Sequence, residues 1–386
     1  MTRIRADDAC PGALRVHHAA DGALVRVRLP GGMLSAGQFA ALARVSGRYG
    51  SGSLELTSRG NVQIRGVGDP AKVTAALAGA GLLPSATHER VRNIVASPLS
   101  GRIGGLADVR GWVTALDEAI RAEPALARLP GRFWFSLDDG RADVSGLGAD
   151  AGAQVVHDGV AVLLAGRDTG VRLSPAEVVP TLVGLATRFL AVRKTAWRVT
   201  ELADIGALLP GAAPHGTPVA PVTRPPVGWL PQRDGRIALG AAVPLGVLSA
   251  RVAECLANIG APLVVTPWRS VLVCDLEETA AVAALAALAP TGLVVDEASP
   301  WLTVSACTGS PGCARSAADV RADAARSLAR DSGVHRHFVG CERACGSPPA
   351  GEVLVATAGG YRLLRTTAGA TPSGRSGPPS ADQAVG

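Results

Sequence analysis

The sequence predicts an α+β protein built by duplication, and three observations carry that expectation. Segments that alternate apolar and polar residues follow segments of helical spacing along most of the 386 residues. From about Leu209 to Pro226 the chain holds Pro210, Pro214, Pro218, Pro221, Pro225 and Pro226, too many for regular structure, which marks a linker between two halves. Beyond the linker, DGRIALGAAVPLGVLSARVAECLANIGAPLVVTPWRSVLVCDL parallels DGALVRVRLPGGMLSAGQFAALARVSGRYGSGSLELTSRGNVQIRGV of the first half.

In order, the first half opens with an alternating strand from about Ala23 to Leu29, and Ser35 then caps a helix with Phe39, Leu42 and Val45 at core spacing. LELTSRGNVQIRGV reads as one strand with Glu55, Thr57, Arg59, Asn61, Gln63 and Arg65 on one face and Leu54, Leu56, Val62 and Ile64 on the other. A solvated sheet face is the plain reading of that polar row. A break at Gly66 to Asp69 and a short helix lead to HERVRNIVASPLSGR, strand-like and flanked by Arg90, Arg92 and Arg102. Helical spacing returns at Trp112, Leu116 and Ile120, followed by LPGRFWFSLDDG, strands near Ala142 to Val144 and Gly159 to Leu164, and a helix after Ser174 using Val178, Leu182, Leu185 and Phe189. GLGADAG at Gly146 to Gly152 imitates a nucleotide-binding fingerprint, but QVVHDGVAVLLAG after it reads as strand, not the helix such a loop must open.

In the second half Leu248-Ser249 matches Leu34-Ser35, Thr266 matches Thr57, and Trp268 meets Arg59. Val252, Cys255, Leu256 and Ile259 share a helix face, so Cys255 is expected in the core, as is Cys274 at the end of an apolar strand. WLTVSACTGSPGC stands where VRNIVASPLSG stood, so the cysteine-bearing loops grew on one half only. A helix from about Ser316 to Ala329, the segment HRHFVGCERACG, a strand near Glu352 to Thr357 and a Gly/Ser/Pro-rich tail, expected to be disordered from about Thr366, complete the chain.

The net charge of +6 invites a nucleic-acid partner, yet aromatic residues make up only 3% and no basic run occurs, so none is expected. MTRIRADDAC lacks a leader's apolar run, and the Ala/Leu stretch near Ala280 to Pro290 is too short to span a bilayer, so a cytoplasmic protein without membrane contact is expected. Lysine occurs only at Lys72 and Lys194. The positive charge is therefore arginine, which suits carboxylate-bearing ligands.

Four of the seven cysteines, Cys307, Cys313, Cys341 and Cys345, form two pairs separated by a helix-length segment. Soft thiolates on two facing loops suit an iron–sulfur cluster, and Gly309, Pro311, Gly312, Gly346, Pro348 and Pro349 let backbone N–H groups approach sulfur. A structural zinc site and unligated thiols are the alternatives; the first gap is wider than zinc loops use, and an odd cysteine count argues against disulfides. His17 and His18 would point apart on a strand, whereas His335 and His337 would share a face near the cysteine loop.

CTGSPGC, CERACG, LTSRGNVQIRG and RNIVASPLSG together resemble the nitrite and sulfite reductase superfamily, over nearly the whole chain up to the tail. The short length, the opening CPGALRVHHAADGALVRVRLPGG and the ending GCERACGSPPAGE are most similar to its precorrin-3B synthase family. The resemblance implies two ferredoxin-like half-domains paired with two larger α/β lobes. Placed on this chain, these are half-domains at 1–70 and 228–294, a tetrapyrrole-side lobe at 71–205, a linker at 206–227, a cluster lobe at 295–365 and a tail at 366–386. It implies a [4Fe–4S] cluster on Cys307, Cys313, Cys341 and Cys345, the residue matching Cys345 also bridging to sirohaem iron in haem-containing relatives. It implies hydroxylation of precorrin-3A by dioxygen with lactone formation, in aerobic cobalamin biosynthesis. Arg59 and Arg92 match carboxylate-binding positions, Arg132 stands where relatives often have lysine, and strand phase adds Arg65 as a further substrate-binding candidate. Trp134 replaces a second cation of the sulfite-reducing relatives, which speaks against the alternative of a sirohaem-dependent sulfite or nitrite reductase. A non-catalytic iron–sulfur or zinc protein is the remaining alternative. Oxygen activation calls for a further centre, for which mononuclear non-haem iron is the candidate, and a separate NAD(P)H-dependent reductase or a ferredoxin is the expected electron donor.

Overall fold

The computed structural model describes residues 8–211, 218–329 and 334–367. The first half contributes β1 (His17–Ala19), β2 (Gly22–Val27), β3 (Met33–Leu34), α1 (Ala36–Tyr49), β4 (Ser53–Leu56), β5 (Val62–Val67) and α2 (Pro70–Gly79). It continues through β6 (Ile94–Ala96), α3 (Arg110–Ala122), β7 (Phe135–Asp138), β8 (Ala151–Val156), β9 (Gly159–Leu164), β10 (Arg167–Leu173) and α4 (Val178–Val192). The second half repeats the plan with β11 (Gly228–Pro231), β12 (Ile237–Ala242), β13 (Val247–Ser249), α5 (Ala250–Asn258), β14 (Leu263–Val265), β15 (Ser270–Leu276) and α6 (Glu278–Leu288). Then come β16 (Val304–Ala306), α7 (Val320–Arg326), β17 (Arg336–Val339), β18 (Gly351–Thr357) and β19 (Gly360–Thr367).

Local chemistry sets the helix starts. Ser35 Oγ accepts from the Gln38 N–H while the Gln38 side chain accepts from the Ser35 N–H, a capping box that opens α1. Ser249 caps α5 at the matching place in the second copy, and Asp69 and Asp319 cap α2 and α7.

Each half lends a strand to the other. The sheet orders are β1-β2-β5-β4-β13 and β11-β12-β15-β14-β3, with Leu248 opposite Leu54 and Leu34 opposite Leu263. The lent strand β3 enters close against its neighbour: a Cβ on Gly32, whose φ is +70°, would lie 1.9 Å from the Val265 carbonyl oxygen. Helices α1 and α5 pack together, and one core holds Val25, Leu42 and Ile64 with Leu239, Leu256 and Val271. The two further sheets also correspond. Strands β6, β7 and β8 are parallel and then turn antiparallel through β9 and β10; β16, β17 and β18 are parallel and then turn antiparallel at β19. The duplication therefore extends beyond the segments whose sequences align.

Helices α3 and α4 cover the third sheet with Val113, Leu116 and Ile120 against Val178, Leu182, Leu185 and Phe189. Among the described residues, the helical stretch Pro175–Val192 is the one long and apolar enough to cross a membrane, and α4 spends its apolar stripe on this core.

Several expectations change. LELTSRGNVQIRGV is a hairpin, β4 and β5 joined by a tight turn at Ser58, Arg59 and Gly60, because Gly60 takes φ +64° and Thr57 N–H bonds to Asn61 O. Its polar face is not solvated: Glu55 and Arg65 are buried, Arg321 of α7 bonds to Glu55, and Arg65 bonds to the Gly312 carbonyl. HERVRNIVASPLSGR keeps only Ile94–Ala96 as strand. The strand expected near Ala142 to Val144 is a turn braced by Asp138, whose carboxylate accepts from the N–H groups of Gly140, Ala142, Val144 and Ser145. Thr366 and Thr367 belong to β19, and the rest of the expected tail lies outside the described residues.

Candidate functional site

Both cysteine pairs leave the same end of one sheet. Because β16 and β17 are parallel neighbours, with Val304 opposite Arg336 and Ala306 opposite Phe338, Cys307 and Cys341 emerge side by side at their C-terminal ends. Ala317 N–H bonds to Gly340 O and ties the two loops together, and the Gly340 N–H points at Cys307 Sγ at 3.4 Å. Burial pushes the Cys307 thiol up, and so do Cys313 and Cys341 beside it. Burial likewise raises Cys345, with Cys307, Cys341 and Cys313 adding to it.

Four thiols gathered on two adjoining loops, with burial holding Cys307 and Cys345 back from ionising, are what a cationic metal centre relieves, and among the described residues no carboxylate or imidazole joins the set, so the donors fit an iron–sulfur cluster. A tetrahedral zinc with Zn–S of about 2.3 Å would hold its sulfurs roughly 3.8 Å apart. Among the described residues, the side chains that gather their ligand atoms within 4.8 Å are Asp138, Asp139 and Asp143 instead. That acidic set braces its own loop, Asp138 on backbone N–H groups and Asp139 on Arg141.

Beside the cysteine loops opens a cleft of about 590 Å³. The residues flanking Cys345, Ala344 and Gly346, form part of its wall. Five arginines line it: Arg59, Arg132, Arg198, Arg269 and Arg365. Trp134, Trp268 and Trp301 add flat apolar surface, and no carboxylate lines it among the described residues. Such a wall fits a flat ligand carrying several carboxylates.

Two hairpin tips, equivalent under the duplication, reach into this cleft. In the first, Arg59 lies 5.5 Å over the Trp134 ring, and its pKa falls to about 10 through burial and then the nearby Arg198. In the second, the turn of Thr266 to Ser270 has the same bonds as that of Thr57 to Asn61: Thr266 N to Ser270 O and Arg269 N to Thr266 O. Arg269 thus occupies the place of Gly60 and takes its left-handed conformation, φ +57° against +64°. For a side chain of this size that conformation costs on the order of 1 kcal/mol.

The motif asparagines hold the frame. Asn61 Oδ1 accepts from the Leu29 N–H, Asn61 Nδ2 donates to Asn93, and Asn93 Nδ2 donates to the carbonyls of Gly131 and Phe133, setting the loop that presents Arg132 and Trp134. Asp8 accepts from the Arg132 N–H.

Of the four arginines expected at the substrate, Arg59 and Arg132 line the cleft. Arg92 does not; it is buried and bonded to both oxygens of Asp117 at 2.6 and 3.0 Å, beside a separate cavity of about 180 Å³. Arg65 does not either, since Asp21 and the Gly312 carbonyl consume its guanidinium at 2.6 to 2.8 Å. The hairpin shortened the strand whose phase had pointed Arg65 at the ligand. It serves instead to clamp the first half onto the cysteine loop.

Arg198, Arg269 and Arg365 were missed. Arg269 was legible in the repeat, where TPWRS overlays TSRGN with arginine under glycine. Trp134 does not thin the positive charge either, because Arg59 and Arg198 both flank its ring.

His335 and His337 share one partner, Ser305 Oγ, each at 2.8 Å, and His337 Nε2 donates to the Cys345 carbonyl at 3.1 Å. Burial and the charge of Arg269 lower His335 to about 4 and His337 to about 3, so both are neutral near pH 7. His17 and His18 lie exposed on the edge strand β1, away from the cleft. Cys255 is half-buried and Cys274 fully buried.

The chain resembles known proteins over most of its length. A precorrin-3B synthase from Sinorhizobium sp. is 30% identical over 381 residues, spanning 92% of this chain and 82% of that one. The chain belongs to the precorrin-3B synthase family. Residues 16–79 match the nitrite/sulfite reductase ferredoxin-like half domain, and a ferredoxin–nitrite reductase of Leptolyngbya laminosa is 33% identical over 30% of this chain and 24% of its own. The Mycobacterium tuberculosis NirA protein has the same fold, with a TM-score of 0.72 over 88% of this chain and 73% of that one at 19% identity. The chain thus has the nitrite/sulfite reductase architecture, and its homologues are oxidoreductases of that superfamily.

Proposed function

We propose that this protein hydroxylates precorrin-3A with dioxygen and closes a lactone on the macrocycle, with a [4Fe–4S] cluster on Cys307, Cys313, Cys341 and Cys345. The observation that carries the reading is the cleft itself, five arginines and three tryptophans abutting the Cys345 loop. Precorrins carry a rim of acetate and propionate carboxylates around a flat apolar ring, and arginine forks bind such groups in fixed orientation. Arg59, Arg132, Arg198, Arg269 and Arg365 take the carboxylates, and Trp268 and Trp301 cover the ring and keep water from it.

When bound, the cluster supplies single-electron transfer from the external donor, a ferredoxin or a reductase. One oxygen atom enters the macrocycle and the other leaves as water. Ser305 and the neutral His335 also line the cleft and are placed to hold or pass the protons this requires at Ser305 Oγ and His335 Nε2. Each imidazole has a partner besides Ser305, the Leu302 backbone for His335 and the Cys345 carbonyl for His337, so a mononuclear non-haem iron would have to find other ligands.

Incubation with precorrin-3A, isotopically labelled oxygen gas and a chemical reductant is the test. A product heavier by one labelled oxygen atom is expected; precorrin-3A recovered unchanged from protein with an intact cluster counts against the reading. Reduction of sulfite or nitrite with extractable sirohaem would place the chain with the reductases instead.

A further inference from the structure

Arg269 sits where the two centres of the site meet. Its side chain crosses a channel that only glycines leave open: a Cβ on Gly246 would meet Arg269 Cδ at 2.6 Å, and one on Gly346 would meet Nη2 at 2.7 Å. Nη2 donates to the Gly346 carbonyl at 2.7 Å, one residue past Cys345. The same side chain lines the cleft, and its charge is felt at Cys307, His335 and His337. Its backbone accepts a conformation that the equivalent Gly60 adopts without strain. Its guanidinium has no carboxylate within ion-pair distance among the described pairs; Glu55, whose charge it feels, is bonded to Arg321 and Gln63. A large residue held in a strained turn, laid between two glycines and without a counter-ion among the described residues has a use for its charge at that point.

We propose that Arg269 is a positioning residue that couples the cleft to the cysteine loop, its fixed charge shared between a ligand carboxylate and the thiolates and its hydrogen bond fixing the Cys345–Gly346 backbone. The inference rests on the tetrapyrrole-and-cluster reading above. A fixed positive charge beside the thiolates favours the reduced, more negative state of a cluster. A carboxylate ligand that engages Arg269 offsets part of that charge, so ligand binding and cluster reduction oppose each other through this residue.

Two variants separate charge from hydrogen bond. Arg269→Lys keeps the charge, while Arg269→Gln keeps a donor and loses it. Uroporphyrin, a flat polycarboxylate, serves as the probe on cluster-free protein, with quenching of the cleft tryptophans as the signal. Loss of one charge-assisted contact predicts binding weaker by about tenfold in Arg269→Gln and less in Arg269→Lys. In cluster-loaded protein with unchanged iron and sulfide, the midpoint potential should fall in Arg269→Gln and stay near wild type in Arg269→Lys. Uroporphyrin should lower the potential of the wild type and move that of Arg269→Gln less. Equal potentials and equal affinities in wild type and Arg269→Gln overturn the coupling and leave the functional reading standing. Wild-type protein that takes up neither cluster nor uroporphyrin overturns both.

Discussion

At the scale of single residues, the arginines of this protein divide by what faces them. Arg59 has a carbonyl contact with Gly131 at 3.5 Å and an aromatic ring beneath it but no ion-paired carboxylate among the described residues, while Arg92 is bound by both oxygens of buried Asp117. Changing each to methionine should therefore have opposite signatures. Arg59→Met should weaken uroporphyrin binding by about tenfold with little change in unfolding, since it removes a ligand contact. Arg92→Met leaves buried Asp117 with Arg121 alone, at 3.3 Å, and should cost about 2 kcal/mol of stability, read from urea unfolding, with affinity nearly intact. The reverse pattern would mean that the carboxylates bind at the smaller cavity beside Arg92. The sequence made both residues visible through their motifs but could not tell them apart, because Asp117 lies on a helix whose facing is decided by packing. The cysteines were legible for the opposite reason: their spacing, loop glycines and position on one copy only are local properties of the chain.

At the scale of elements, capping residues and apolar spacing marked the helices well, as at Ser35 and at Val178, Leu182, Leu185 and Phe189. Turns were harder. Period-two alternation ran unbroken through Gly60, so a hairpin read as one strand, and nothing local distinguished a glycine that turns the chain from one that merely sits in it. The loop after β7 shows a second such case, since four backbone N–H groups on Asp138 made a turn where alternation suggested strand. Asp143 in this loop is pushed up to about 6 by burial and then by the negative charge of Asp138. A carboxyl whose folded pKa lies above its unfolded value stabilises fully below the unfolded value and loses that contribution as pH rises through about 6. Raising pH from about 5 to about 8 should thus cost the wild type about 1 kcal/mol through this group. Asp143→Asn should shed that loss, so its urea midpoint should exceed the wild-type value by more at the higher pH. An equal difference at both pH values would mean that Asp143 is ionised in the fold throughout.

At the scale of the whole molecule, the duplication was legible because both copies kept the same caps, turns and strand phases. The exchange of β3 and β13 was not, since two- and three-residue strands carry no periodic signal and their pairing is fixed only when α1 and α5 come together. That exchange has a functional consequence. It brings both hairpin tips, with Arg59 and Arg269, to one side of the paired sheets, where the cysteine-bearing sheet closes the cleft. Arg65 and Arg321 then tie the first half to the cysteine loop and to α7. The second copy supplies the cysteines with Arg269 and Arg365, and the first supplies Arg59, Arg132 and Arg198, so the site exists only in the complete duplicate. The most direct test of this account is the iron, acid-labile sulfide and extractable tetrapyrrole content of anaerobically purified protein, compared with Cys341→Ser. The account predicts at least about four irons with about four sulfides per chain, their loss in the variant, and no sirohaem. Zinc without sulfide, or a normal cluster surviving in Cys341→Ser, would contradict it.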